Sequence, residues 1–214
     1  MTDLMKLSLK EYLDNASDKE PNPGGGSVAA YVGGLGTALA NMVLNLSYGK
    51  KAYEALDQNI KDELEELKEE YFEIIKELEV YVNEDAKSFN KVLDAFKLPK
   101  ETEEEKEARS NAIQEGYKYA LEVPLNTARL ANRALNKLDL FVEHGTVSAI
   151  TDVGCAILFL ASAIEAALFN VIINLKSIKD EEFAKQTEKE VHDLIANAHK
   201  LRDEYLERTY RRLD

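Results

Sequence analysis

Asp85 occupies a position where an apolar residue would be expected. In the charged stretch after Asp57, Ile60, Leu64, Leu67, Tyr71, Ile74, Leu78 and Tyr81 recur three or four positions apart, and the series runs on through Asp85 to Phe89, Val92 and Phe96. That spacing lines them along one face of a helix. A carboxylate on a buried face must be paired, protonated or open to a cleft, so Asp85 is either half of an interhelical salt bridge or an acid–base group at a site. Asp152, in "AITDVGCAILF", opens a second candidate. Thr151 or Asp152 would cap a helix start, yet this acid stands at the end of a nearly uncharged segment, where a functional carboxylate is the alternative.

Amides and glycines supply the other polar groups. Asn41 and Asn45, and likewise Asn170 and Asn174, are four apart in "NMVLNL" and "NVIINL", so each pair shares a helix face. Buried amides need partners, which a facing amide pair or a ligand would provide. In "PNPGGGS", Pro23 restricts the approach to a helix, Ser27 is a candidate N-cap, and Gly24, Gly25 and Gly26 let backbone N–H groups meet an anion, a carbonyl oxygen or a ring heteroatom at the positive helix end. No strand precedes these glycines and no P-loop spacing follows, so known nucleotide motifs do not fit. Further on, Gly33, Gly36, Thr37 and Ala40 form small-residue ridges suited to close helix packing. None of His144, His192 and His199 has a Glu three residues before it, and no His-Glu-x-x-His occurs; no metal site is expected. Cys155, the single cysteine, reads as a buried small residue.

The elements that must hold these groups are helical. Pro is scarce, β alternation is nearly absent, and Ala, Leu, Glu and Lys recur at helical spacing. Helices are expected over Leu9–Asn15, from the glycines to Tyr48–Gly49, over Asp57–Leu98, over Thr102–Leu140 with a kink or break at Pro124, from about Asp152, and over Asp180–Arg212. The fold class is therefore all-α, a multihelical bundle with two buried apolar central helices surrounded by long amphipathic ones, in one domain spanning 1–214. Each apolar stretch is long enough to span a bilayer, but Asn41, Asn45, Ser162, Glu165, Asn170 and Asn174 interrupt them, so the bundle centre is the expectation and no membrane partner is. A net charge of -13 argues against nucleic acid. The acidic N-terminal stretch lacks the apolar core of a signal peptide, which with one cysteine points to a cytoplasmic protein.

Four segments, "PNPGGGSVAA", "NEDAKSFNKV", "ALEVPLNTARL" and "AITDVGCAILFLASAIEAALFNVIINLKSI", resemble in this order the cyclodeaminase/cyclohydrolase family. That family includes the C-terminal half of formimidoyltransferase-cyclodeaminase and free-standing methenyltetrahydrofolate cyclohydrolases. The resemblance implies a helical homodimer that acts on a folate one-carbon unit with no metal or redox cofactor. Members close a formimino group onto the neighbouring folate nitrogen with loss of ammonia, or open the methenyl ring with water. It further implies Asp85 and Asp152 as acid–base residues, Pro23 to Ser27 with Asn170 and Asn174 near the pterin, and Lys50 and Lys51 at the anionic glutamate tail. Where the family pattern has Gly-Asn ahead of the second aspartate, this chain has Gly145 and Thr146. The alternative function is an inactive helical scaffold that keeps the fold.

Overall fold

Missing side chains decide how the two nearly uncharged helices meet. In the computed structural model, which describes residues 3–19 and 22–214, α2 (Gly25–Ser47) and α8 (Ile150–Leu175) lie antiparallel at the centre of the bundle. Gly25 lies beside Asn170, Gly33 against Ala163 and Gly36 against Leu160, while at the far end the Thr146 N–H donates to Ser47 Oγ at 2.9 Å. Among the described residues no β-strand forms.

The amphipathic helices wrap this pair, each turning an apolar stripe inward. α4 (Gln58–Ser88) runs antiparallel to α2 and buries Leu64, Leu67, Tyr71, Ile74, Leu78 and Val82. α6 (Glu103–Asn136) starts at a reciprocal capping pair between Thr102 and Glu105, and α9 (Glu181–Arg211) at an Asp180 cap. Tyr71 ties α4 to α6: its ring stacks on Phe141 and its hydroxyl donates to Ala134 O at 2.6 Å. Shorter helices complete the chain: α1 (Leu9–Ala16), α3 (Lys51–Glu54), α5 (Asn90–Phe96) and α7 (Asp139–His144).

Several boundaries depart from the sequence expectation. The helix expected over Asp57–Leu98 is broken at Phe89, where Ser88 Oγ bonds the Asp85 carbonyl at 2.9 Å and competes with the backbone ladder. The apolar seam changes course there: Val82 rather than Tyr81 is fully buried, and Phe89 and Phe96 are exposed. The helix from Thr102 passes through Pro124 without a break and stops at Asn136. Gly24, not Ser27, is the N-cap of α2, and Ala149, not Thr151 or Asp152, that of α8. Cys155 is exposed. Because α2 and α8 are antiparallel, the two asparagine pairs lie at opposite ends and cannot face each other.

By length and composition α2 and α8 could each cross a membrane, and each buries about half of its apolar window in the bundle. The remaining half of each points outward, through Leu35, Met42 and Leu46 of α2 and Leu158, Phe159, Phe169, Ile172 and Ile173 of α8.

A methyl group at Gly36 would lie 3.0 Å from Leu160 Cγ and 3.2 Å from Leu160 N. Gly36→Val is expected to lower stability by about 1–3 kcal/mol through overpacking, whereas Gly34→Ala, with only Leu78 Cβ at 4.0 Å, should hold or gain stability. Urea midpoints compare the two; a Gly36→Val protein as stable as the parent would contradict the close contact.

Candidate active site

The first turn of α2 begins without a side-chain cap, since Gly24 supplies none. Its orphan N–H groups carry the positive end of the helix dipole. Asp85 lies against that end: a Cβ on Gly26 would fall 2.2 Å from its Oδ1 and 2.5 Å from its Cγ. Only glycine leaves room for the carboxylate. Ser27 Oγ donates to Val82 O at 2.7 Å and so clamps this turn to α4 just before Asp85.

Asp85 is half-buried and, among the described residues, has no cationic partner. Burial raises its pKa above the ordinary carboxylate value, and the Ser27 backbone N–H pulls the other way. Of the two readings the spacing allowed, the salt bridge is absent and the carboxyl opens to a cleft. That cleft, about 430 Å³, is bordered by Asn22, Gly24, Asp85, Asn170, Ile173 and Asn174, with Phe89 and Leu93 as an apolar wall. Asn170 Nδ2 donates to Ala166 O at 3.0 Å and Asn174 Nδ2 to Ala120 O at 3.2 Å. Each amide thus commits one N–H to a carbonyl, which orients it and leaves its oxygen as a free acceptor. Helix-end N–H groups, two amide oxygens and one proton-exchanging carboxyl can bind a polar heterocycle and move a proton on it. Grooves of about 550 and 690 Å³ elsewhere hold none of these groups.

The structure therefore brings together Gly24, Gly25, Gly26, Asp85, Asn170 and Asn174. Pro23 is buried behind the turn, and Ser27 is a buried clamp rather than a lining residue. Asp152, Lys50 and Lys51 are at the other end of the bundle. Asp152 lies 18 residues before Asn170 on α8, about 27 Å along the axis, and Lys50 follows Ser47 beside Thr146. Asp152 makes no hydrogen bond or ion pair among the described residues. The expected single cluster is thus two clusters within one chain, because the antiparallel central pair separates the start of α8 from the start of α2.

Two neighbours of the site carried no readable signal. Phe89 was legible only as core, and it turns toward the cleft because the helix breaks there. Tyr12 of α1 is buried against Tyr31 with its hydroxyl unpartnered, in electrostatic reach of Asp85; nothing in the spacing of α1 separates it from an ordinary core tyrosine.

Gly26→Ala is expected to turn the Asp85 carboxyl out of place while leaving a fully helical protein, since alanine favours the helix itself by about 1 kcal/mol. Ligand binding or turnover should fall at least tenfold with unchanged circular dichroism. Wild-type function in Gly26→Ala would contradict the contact.

The chain matches the family described as formiminotransferase-cyclodeaminase over residues 8–193. It is 34% identical over 200 residues to a methenyltetrahydrofolate cyclohydrolase of Methylorubrum extorquens, covering 94% of each chain. It is 39% identical over 195 residues to the formimidoyltransferase-cyclodeaminase of Gallus gallus, covering 91% of this chain and 35% of that much longer one. The fold is similar to the crystal structure of a formiminotetrahydrofolate cyclodeaminase from Thermotoga maritima, with a TM-score of 0.77, 28% identity, and coverage of 98% of this chain and 97% of that one. With a match over most of its length and a relative of equal extent, the chain belongs to the formiminotransferase-cyclodeaminase family.

Proposed function

We propose that this chain is a folate one-carbon enzyme, a methenyltetrahydrofolate cyclohydrolase or a formiminotetrahydrofolate cyclodeaminase, with Asp85 as its acid–base residue. The observation that carries the proposal is the unpaired Asp85 carboxyl lying against Gly26 in a cleft of ligand size, in a chain whose full-length relative bears a cyclohydrolase name. In the hydrolytic direction, water adds to the cationic methenyl carbon and Asp85 takes the proton that water loses; the ring carbon–nitrogen bond then breaks as the departing nitrogen takes up that proton and the added hydroxyl releases its own to solvent, leaving a formyl group. In the deaminating direction, the neighbouring folate nitrogen attacks the formimino carbon, gives up its proton to a base, and ammonia leaves after protonation. Both need one group that accepts and returns a proton, and a carboxylate also steadies the methenyl cation. The reading includes no metal or redox cofactor and a cytoplasmic setting.

The reading also includes a homodimer. α8 exposes an apolar strip from Cys155 to Ile173. A second copy of this chain would cover that strip by packing its own α8 antiparallel across a two-fold axis. Such a pairing would carry the start of one α8, with its Asp152, toward the end of the other, where Ile173 and Asn174 border the Asp85 cleft. Lys50 and Lys51, at the same end of the bundle as Asp152, would be carried with it as the anchor for an anionic tail. On this reading each site draws its two clusters from different copies of the chain.

Purified protein should hydrolyse methenyltetrahydrofolate faster than buffer, followed by loss of its absorbance, or release ammonia from 5-formiminotetrahydrofolate. Asp85→Asn should remove most of the gain. Because burial raises the native pKa of Asp85, the folded state holds that proton more tightly than the unfolded chain. The group therefore favours folding at low pH and ceases to as pH rises through its native pKa. Asp85→Asn is accordingly expected to melt no lower than the parent at neutral pH. Protein that does no better than buffer on both substrates would leave the scaffold reading.

The dimer has its own test. Asp85→Asn and Asp152→Asn proteins, each inactive alone, should regain about a quarter of parental activity when unfolded and refolded together, because half the dimers then carry one intact site. No recovery on mixing would contradict the shared site.

A further inference from the structure

Pro124 stands in the middle of α6, and the helix continues through it. A proline has no N–H, so the carbonyl four residues earlier, that of Ala120, loses its helical donor, and the ring crowds that same carbonyl away from the axis. The group that takes its place comes from another helix: Asn174 Nδ2 of α8 donates to Ala120 O at 3.2 Å. Ala120 and Asn174 both border the Asp85 cleft. A carbonyl accepts and cannot donate, so this bond decides which way the Asn174 amide is turned. One N–H of its nitrogen is committed to α6, and its oxygen, which no donor among the described residues engages, is the acceptor left for the cleft.

We propose that Pro124 is a positioning residue: by freeing the Ala120 carbonyl it locks the Asn174 amide with its oxygen toward the cleft, where that oxygen accepts a hydrogen bond from an N–H of the bound heterocycle. The recognition part rests on the folate reading above; the locking part does not. An ordinary α6 donor at position 124 would close the helix bond to Ala120, and the Asn174 amide would lose its one fixed anchor and be free to flip. The proline thus trades a helix bond in α6 for the orientation of a side chain on α8, and its place in the fold is next to the site although the residue touches no substrate.

The experiment compares Pro124→Ala, Asn174→Ala and the double variant, with methenyltetrahydrofolate and 5-formiminotetrahydrofolate as substrates and thermal melting alongside. Pro124→Ala should raise KM for the turned-over folate roughly threefold to tenfold, the scale of one weakened hydrogen bond, with kcat within about twofold of the parent. Its melting temperature should not fall in step, because the substitution restores a helix donor; a residue that served only packing would instead lose stability and leave KM alone. In the Asn174→Ala background Pro124→Ala should have no further effect on KM. An unchanged KM in Pro124→Ala, or the same rise with and without Asn174, overturns the proposal. A second readout needs no substrate: the Asn174 carboxamide protons, assigned by their loss in Asn174→Ala, should exchange with solvent at least tenfold faster in Pro124→Ala than in the parent. Equal exchange overturns the locking. A parent protein that neither binds nor converts either folate defeats the functional reading, and the exchange measurement then judges the Pro124 lock by itself.

Discussion

The close approach of Asp85 to Gly26 is the constraint on which the rest of the site depends. A carboxyl can lie against the first turn of α2 only because position 26 has no side chain, and it can stay uncompensated there only because helix-end N–H groups face it and the cleft admits solvent or ligand. Burial and the helix end act in opposite directions on its proton, and burial is the larger. This leaves a group that holds its proton to higher pH than a surface aspartate. The Ser27 bond to the Val82 carbonyl holds the two helices in the register that the contact requires.

The same antiparallel pairing that builds this end of the molecule removes Asp152 and the two lysines from it. The small residues Gly33 and Gly36 seat α2 deep against α8, so the start of one helix meets the end of the other. Whatever joins the two clusters must therefore bridge the length of the bundle. The outward apolar halves of α2 and α8 are a surface that water does not favour, and in the proposed dimer a two-fold copy of α8 would cover it while exchanging the ends. One feature of packing thus accounts for both the oily outer face and the separation of the acids.

Much of the fold was legible because helical spacing is a strong signal over long segments. The seam from Leu64 to Leu78, the glycine contacts of α2 and the central place of α2 and α8 could all be read. What was not legible depended on single side chains competing with the backbone. Ser88 bends the chain at Phe89 through the Asp85 carbonyl, and no periodicity announces it. Pro124 was expected to disturb its helix, and the compensation lies 50 residues away in Asn174. Asp85 was legible as an anomaly in a stripe, and Gly26 as a place for close approach, but that each exists for the other needed three dimensions. The expectation that Lys50, Lys51 and Asp152 join the same cluster came from likeness to a family, and sequence order says nothing about which end of a bundle a helix terminus occupies.

The most direct test of the central claim is a carboxyl-carbon NMR titration of Asp85, assigned by its loss in Asp85→Asn, with and without a bound tetrahydrofolate analogue. The account predicts a midpoint above the ordinary aspartate value of 3.8 and a shift of the signal when the analogue binds. A midpoint at or below that value, with a signal indifferent to the folate, would contradict it.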